Sequence, residues 1–249
     1  MVGIINASDN INSGDERDKR LLFFLMFLPC CFVFLKILDN DFWFIINSGR
    51  FVMNHGIPYL EPFTIHNGMS FVMQQWLSAV IFWLIYSSGG ELWIKLLVML
   101  CHILLVFLAF RLCMKVSRDN FVVSFTIALF VGVFASIYMT SRPIIFTLLI
   151  ILVEFYALES FIRDGNRKSL LVLPLLSLLE INLHAALWPI LFVLALPYVV
   201  DSFDFKLGPI IGEGYDKKYL FAVIALMFLA GFCNPYGWGA ITYLIKSFG

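Results

Sequence analysis

Apolar and polar residues divide the chain into long apolar runs separated by short polar stretches. LLFFLMFLPCCFVFLKIL occupies 21–38, and further runs fall near 71–86, 92–113, 120–140, 143–162, 169–200 and 219–233. The runs are continuous rather than alternating, which predicts helices and excludes a transmembrane barrel. A membrane-crossing helix needs about 20 residues. The run 169–200 is too long for one, and Asn182, Leu183 and His184 interrupt it, so it predicts two short helices meeting at a polar break. The run 71–86 reaches only about 24 Å at 1.5 Å per residue, short of the roughly 30 Å of bilayer hydrocarbon. Gln74, Gln75 and Ser78 lie on it at helical spacing, as expected of a helix lying in the interface.

Basic residues settle the expected topology. If 71–86 lies in the interface, the N-terminus and the loops 113–119, 163–168 and 201–218 share one side, where Arg17, Lys19, Arg20, Lys115, Arg118, Arg163, Arg167, Lys168, Lys206, Lys217 and Lys218 collect. That side is the cytoplasm by the positive-inside rule. If 71–86 spans, two of the four basic segments land outside. The expectation is therefore an all-α, polytopic membrane helical bundle with seven spans, near 21–38, 92–112, 120–140, 144–162, 169–182, 186–200 and 219–233. Residues 1–20 form a cytoplasmic N-terminal segment leading into an uncleaved anchor, and 21–249 form one transmembrane module with a large external loop, 39–91.

Composition agrees. Of 249 residues, 61% are hydrophobic and 14% charged, and Phe occurs 27 times; the mean hydropathy is +0.91. A soluble domain has no way to hide that much apolar side chain, and disorder fails on the same numbers. Seventeen basic residues balance seventeen acidic ones, which points to no nucleic-acid partner. The five cysteines, Cys30, Cys31, Cys101, Cys113 and Cys233, follow no zinc or disulfide spacing and read as small core residues.

The expected topology sends the unusual polar residues to the outer face. The external loop carries Asp39 and Asp41 just past the first span, then His55, Glu61, His66, Gln74, Gln75 and Trp76. Arg142 closes the third span, Asn182 and His184 the fifth, and Asn234 and Tyr236 the seventh. Each has a plain alternative: helix termination for the aspartates, headgroup anchoring for Arg142, satisfied backbone at a break for Asn182 and His184, an ordinary turn for Asn234–Gly237. Their gathering on one face is what points to a site. Glu180 can border the same cavity, whereas Glu154 reads as a packing or pairing residue and Glu159 as interfacial.

The stretch DNDFWFIINSGRFVMNHGIPYLEPFTIHNGMSFVMQQWLSAVIFWLIYSSGG at 39–90 resembles the first external loop of GT-C-type membrane glycosyltransferases. There an acidic pair follows the first span, then an interfacial helix, a G-x-P turn with an acidic-Pro-Phe element, and a second interfacial helix near a Gln/Glu-Trp. SRPIIFTLLI at 141–150, INLH at 181–184 and NPYG at 234–237 resemble later landmarks of an uncharacterised bacterial branch. The resemblance implies a GT-C-like seven-span module with two interfacial helices in its first external loop, taking a sugar from a polyprenyl-phosphate carrier in a bacterial inner membrane. It implies a catalytic carboxylate at Asp41, with Asp39 second, acting as general base or helping to hold a divalent metal. The substrate-binding set it implies is Arg142, His184, Asn182, Glu61, Gln75, Trp76, Asn234 and Tyr236. A carboxylate suits deprotonation of an attacking hydroxyl, and a guanidinium suits a phosphate leaving group. Relatives continue past the NPYG landmark, so the resemblance leaves open a split gene, a truncated reading frame or a minimal module needing a partner chain for further spans; the other partners it implies are membrane lipids and the lipid-linked sugar. Metal dependence stays open, because the external histidines and acids form no ligand spacing.

Two other classes compete. A non-catalytic scaffold or subunit of a glycosylation assembly fits the altered motif positions, such as Glu61 before Pro-Phe and Ala185-Ala186 after His184. A transporter of a lipid-linked solute fits the discontinuous helices at 182–185, but no inverted repeat is visible.

Overall fold

Helices carry the structure because the apolar runs leave no backbone partner other than the helix's own carbonyls. The computed structural model describes residues 16–36, 38–66, 68–204, 206–207, 210–211, 214–215 and 217–247. Most of the expected N-terminal segment, 1–15, lies outside the described residues. Residues 16–25 form α1, followed by a 3-10 segment, Leu28–Leu35, that starts at a proline. Then come α2 (Asn40–His55), α3 (Trp76–Val116), α4 (Phe121–Ala135), α5 (Ile144–Asp164), α6 (Val172–Leu183), α7 (Pro189–Asp201), α8 (Lys217–Ala230) and two short C-terminal helices, α9 (Trp238–Ile241) and α10 (Tyr243–Ser247). A two-residue hairpin, Lys206–Leu207 with Ile210–Ile211, sits before α8.

Local chemistry sets the boundaries. Asp39 caps α2 by accepting from the Asp41 amide at 3.0 Å. The Asn120 side chain caps α4 through the Val123 amide, and Pro143 sets the entry to α5, which Gly165 closes in the left-handed region at φ 64. Inside α3 the helical geometry fails at Gly89 and at Gly90, where φ is 66 and ψ −154. Only glycine takes that conformation without strain. The break separates a first helix opening at Trp76 from the long apolar one that follows, which accounts for the apolar run 71–86 behaving as its own element.

Among the described residues two helices are long and apolar enough to cross a membrane, α3 and α5. The remaining apolar helices are shorter than the sequence pattern predicts. The expected span 120–140 is helical only to Ala135, about 22 Å of rise, and 169–182 opens as a 3-10 turn, Arg167–Leu171, before α6. The expected break between the next two helices is present: α6 ends at Leu183, and His184 leaves helical geometry at φ −157, ψ 68.

Three apolar clusters hold the bundle. One joins α5 to α8 through Leu158, Leu173, Trp188, Leu191 and Met227. A second joins α2, α3 and α5 through Phe42, Ile45, Phe82, Ile94 and Ile145. The third packs the N-terminal segment on α3 and α4 through Met26, Cys30, Val106 and Ala128. Large apolar side chains also cover the outside, with Phe24, Phe130, Phe134 and Val193 all exposed. Helices apolar on every side belong in lipid. Cys30 and Cys101 are core residues as expected, whereas Cys31 and Cys233 lie exposed.

The two ends of the bundle differ in chemistry. At one end Lys115 pairs with Asp164, Arg163 with Glu159, and Arg167 lies 4.4 Å over the Tyr219 ring. α5 runs from there to Arg142, about 31 Å away by helical rise. Arg142 belongs to the other end.

Candidate functional site

That other end collects the start of α2, the start of α3, the start of α5 and the break after α6. Arg142 joins them. Its Nε donates to Asp39 Oδ2 at 2.9 Å and its Nη2 to Asp39 Oδ1 at 2.7 Å, a two-pronged contact that matches the guanidinium fork. The same Nη2 lies 2.8 Å from Asp41 Oδ2. The Asp39 side chain is 23% exposed and that of Asp41 63%, so Asp39 is the anchored partner and Asp41 the open one. The Arg142 hydrogen bond holds the Asp39 carboxyl below the usual carboxylate range, the Asp41 amide adding to it against burial. In return the Asp39 hydrogen bond pushes Arg142 up.

The triad borders a cavity of about 760 Å³, within the size range of small-molecule sites. Gln74, Gln75 and His184 line its polar wall, and Phe44, Ile45 and Ile144 are among its apolar lining. Gln74 ties the α3 start to the break after α6: its backbone carbonyl accepts from the Ala185 amide at 2.8 Å and its side-chain oxygen from the Ala186 amide at 3.2 Å. Ser78 adds a bond to the Leu183 carbonyl at 2.7 Å. Backbone groups freed by the helix break are thereby satisfied inside the protein. Behind His184, Thr147 Oγ1 lies 3.0 Å from Nδ1 and donates to Glu180 Oε1 at 2.7 Å.

The residues that the sequence assigns to a site separate into two groups. Asp39, Asp41, Arg142, Gln75 and His184 share the cavity. Trp76, Asn182, Asn234, Tyr236 and Glu61 brace the structure around it. Trp76 Nε1 donates to Asn182 Oδ1 at 3.0 Å, and Asn182 Nδ2 donates to the Cys233 carbonyl at 3.0 Å. Tyr236 donates to the Pro58 carbonyl at 2.9 Å, Asn234 caps its own turn, and Glu61 accepts from the Phe63 amide. Sequence reasoning placed Gln74 on this face without a binding role and left out Thr147. Thr147 looks like an ordinary polar break in an apolar helix, and its only signal is the spacing of seven to Glu154, which places both on one face of α5. Glu154 itself has no pairing partner among the described residues, so the expected pairing role is not found. Glu159 does pair, with Arg163 and with the Tyr198 hydroxyl.

A divalent metal does not fit these side chains as they stand. The guanidinium of Arg142 occupies the place a cation would take between Asp39 and Asp41, and no cluster of three or more His, Cys, Asp or Glu is found among the described residues. Compared with family models, curated proteins and solved structures, the chain matches none.

Proposed function

We propose that the protein is a membrane glycosyltransferase module of the GT-C type, transferring a sugar from a polyprenyl-phosphate carrier to a hydroxyl acceptor. The observation that carries this reading is the convergence of Asp39, Asp41, Arg142 and His184 on one cavity with an apolar flank. In this reading the short helices complete seven crossings with α3 and α5, the basic end faces the cytoplasm and the cavity opens on the outer face of a bacterial inner membrane. Asp41, the exposed carboxylate, takes the acceptor proton as the hydroxyl attacks. Asp39 is a positioning residue, because its two oxygens fix the Arg142 fork. Arg142 then offers its remaining edge to the departing phosphate. The polyprenyl tail lies along the exposed Phe and Val side chains of the bundle.

The test is photo-crosslinking of a polyprenyl-phosphate analogue to the purified protein, with Asp41→Asn and Arg142→Ala alongside. Labelling that Arg142→Ala abolishes supports the reading, as does loss of transfer in Asp41→Asn with membrane insertion intact. Absence of labelling in well-folded protein removes it.

A second reading, a non-catalytic subunit of a glycosylation assembly, draws on the same triad. Two carboxylates and one guanidinium leave a formal charge of −1 (−1 −1 +1) at the cavity mouth, which disfavours an anion unless a partner adds positive charge. Labelling that appears only when a partner chain is present would decide for it.

A further inference from the structure

On the helical side of the cavity a chain of polar side chains runs inward. His184 lines the cavity, its Nδ1 lies 3.0 Å from Thr147 Oγ1, and that hydroxyl donates to Glu180 Oε1 at 2.7 Å. A hydroxyl carries a single proton. With Glu180 ionised, Thr147 gives it to Glu180, and the contact with His184 then has Nδ1 as the donor. A neutral imidazole protonated at Nδ1 keeps its lone pair on Nε2. In that arrangement His184 is in the form that accepts a proton at Nε2.

The inner end of the chain is unusual for a membrane bundle. Thr147, Glu180 and Glu154 have no exposed surface. Glu180 Oε2 and both oxygens of Glu154 have no hydrogen-bond partner among the described residues. Glu154 stands two turns along α5 from Thr147, within electrostatic reach of Glu180. Apolar surroundings disfavour ionisation of both carboxyls. Glu180 has a hydroxyl donor and Glu154 has none, so Glu180 is the one better able to carry a charge.

We propose that His184, Thr147 and Glu180 form a proton relay that takes a proton out of the cavity and holds it on Glu180. The O–H bond of a cavity hydroxyl breaks as Nε2–H forms on His184. Nδ1–H breaks as a new Oγ1–H forms on Thr147, and the original Thr147 proton moves to Glu180 Oε1. One proton has entered, one has reached Glu180, and His184 is again neutral, now protonated at Nε2. No charge is left on the imidazole at any resting point. A proton released by the acceptor, directly or by way of Asp41, would leave the cavity by this route; only that source rests on the transferase reading. Among the described residues, the charged and titratable groups around the relay are Glu154 from α5 and, lining the cavity with His184, Asp39, Asp41, Tyr138 and Arg142.

The experiment is 15N NMR of the full chain in lipid nanodiscs with labelled histidine, the His184 signals being assigned by difference from His184→Gln. At neutral pH the expected spectrum shows His184 neutral and protonated at Nδ1. Mild acidification should switch it to the Nε2-protonated neutral form, while an infrared band of a buried protonated carboxyl rises and is missing in Glu180→Gln. Thr147→Val should lose the Nδ1 preference, and Thr147→Ser should restore it. A wild-type His184 protonated at Nε2 at neutral pH overturns the relay, and so does a tautomer unmoved in folded Thr147→Val. If Thr147→Val does not fold, Glu180→Gln decides through the infrared band. None of these readouts requires sugar transfer, so failure of the transferase reading leaves them interpretable.

Discussion

Arg142 and Asp39, 103 residues apart in sequence, are joined by two nearly parallel hydrogen bonds of 2.9 and 2.7 Å. The contact ties the entry of α5 to the cap of α2, and Asp39 also fixes the α2 start through the Asp41 amide. One residue pair thus sets both the backbone geometry of the external segment and the orientation of the exposed Asp41.

Replacing Arg142 by Lys keeps the charge and removes the fork. A single ammonium has no means to reproduce the paired contact with Asp39 while also reaching Asp41. In a transfer assay with a lipid-linked sugar, Arg142→Lys should lose activity by about 100-fold, with insertion and yield unchanged. Near-wild-type turnover would show that the fork is dispensable.

The acid response of the pair follows from its sign. Arg142 holds the folded Asp39 carboxyl below the usual range, so its contribution is complete above the unfolded value of about 3.9. It is lost only as pH falls through the lower folded value. Thermal unfolding in detergent should therefore show no Asp39 component between about pH 7 and 5 and a loss in stability below about pH 4. Arg142→Gln should remove that acid step. A step that persists in Arg142→Gln assigns it to another carboxylate.

Gly49 on α2 has no room for a side chain. A Cβ there would stand 2.0 Å from the Ala79 carbonyl oxygen and 2.8 Å from the Trp83 Cβ. Gly49→Ala must push α2 off α3, an overpacking cost of about 1–3 kcal/mol, and should spoil the cavity that α2 borders. Gly239→Ala is the control, since its nearest contact is an ordinary 3.4 Å to Val72. Comparing the two by thermal unfolding and by ligand crosslinking separates crowding from a general effect of alanine.

Trp76, Asn182 and the Cys233 carbonyl form a bridge between α3, α6 and the end of α8. Trp76→Phe removes one neutral hydrogen bond and should cost about 1 kcal/mol. Asn182→Ala strands both the indole N–H and the carbonyl, and should cost about 2–3 kcal/mol. The double variant should fall short of the sum. Strict additivity would mean that the bridge carries no coupling.

Lys36 interrupts the first apolar run, and its ammonium donates to the carbonyls of Ser136, Ile137 and Met139 where α4 ends. Those carbonyls lack helical partners. Lys36→Met restores apolar continuity yet should lower stability, which denaturant or thermal unfolding would register. A rise in stability would show that the carbonyls find other donors.

The sequence by itself determined the membrane character, the helical content and the breaks. Continuous apolar runs permit only helices, Gly89-Gly90 and Asn182–His184 mark where those helices fail, and Asp39, Asp41, Gln74, Gln75, Arg142 and His184, of the polar residues expected on one face, line one cavity. These are local properties, set by each segment's side chains and dihedral limits. The roles of individual residues were decided only by tertiary structure. Nothing local distinguishes Asn182, which bridges Trp76 to Cys233, from His184 two residues on, which faces the cavity. Nothing local shows that Arg142 is held by two carboxylates, or that Thr147 stands between His184 and Glu180. Those contacts span 33 to 106 residues. They depend on which helix faces pack together, and that is fixed by burial across the whole bundle rather than by any segment alone.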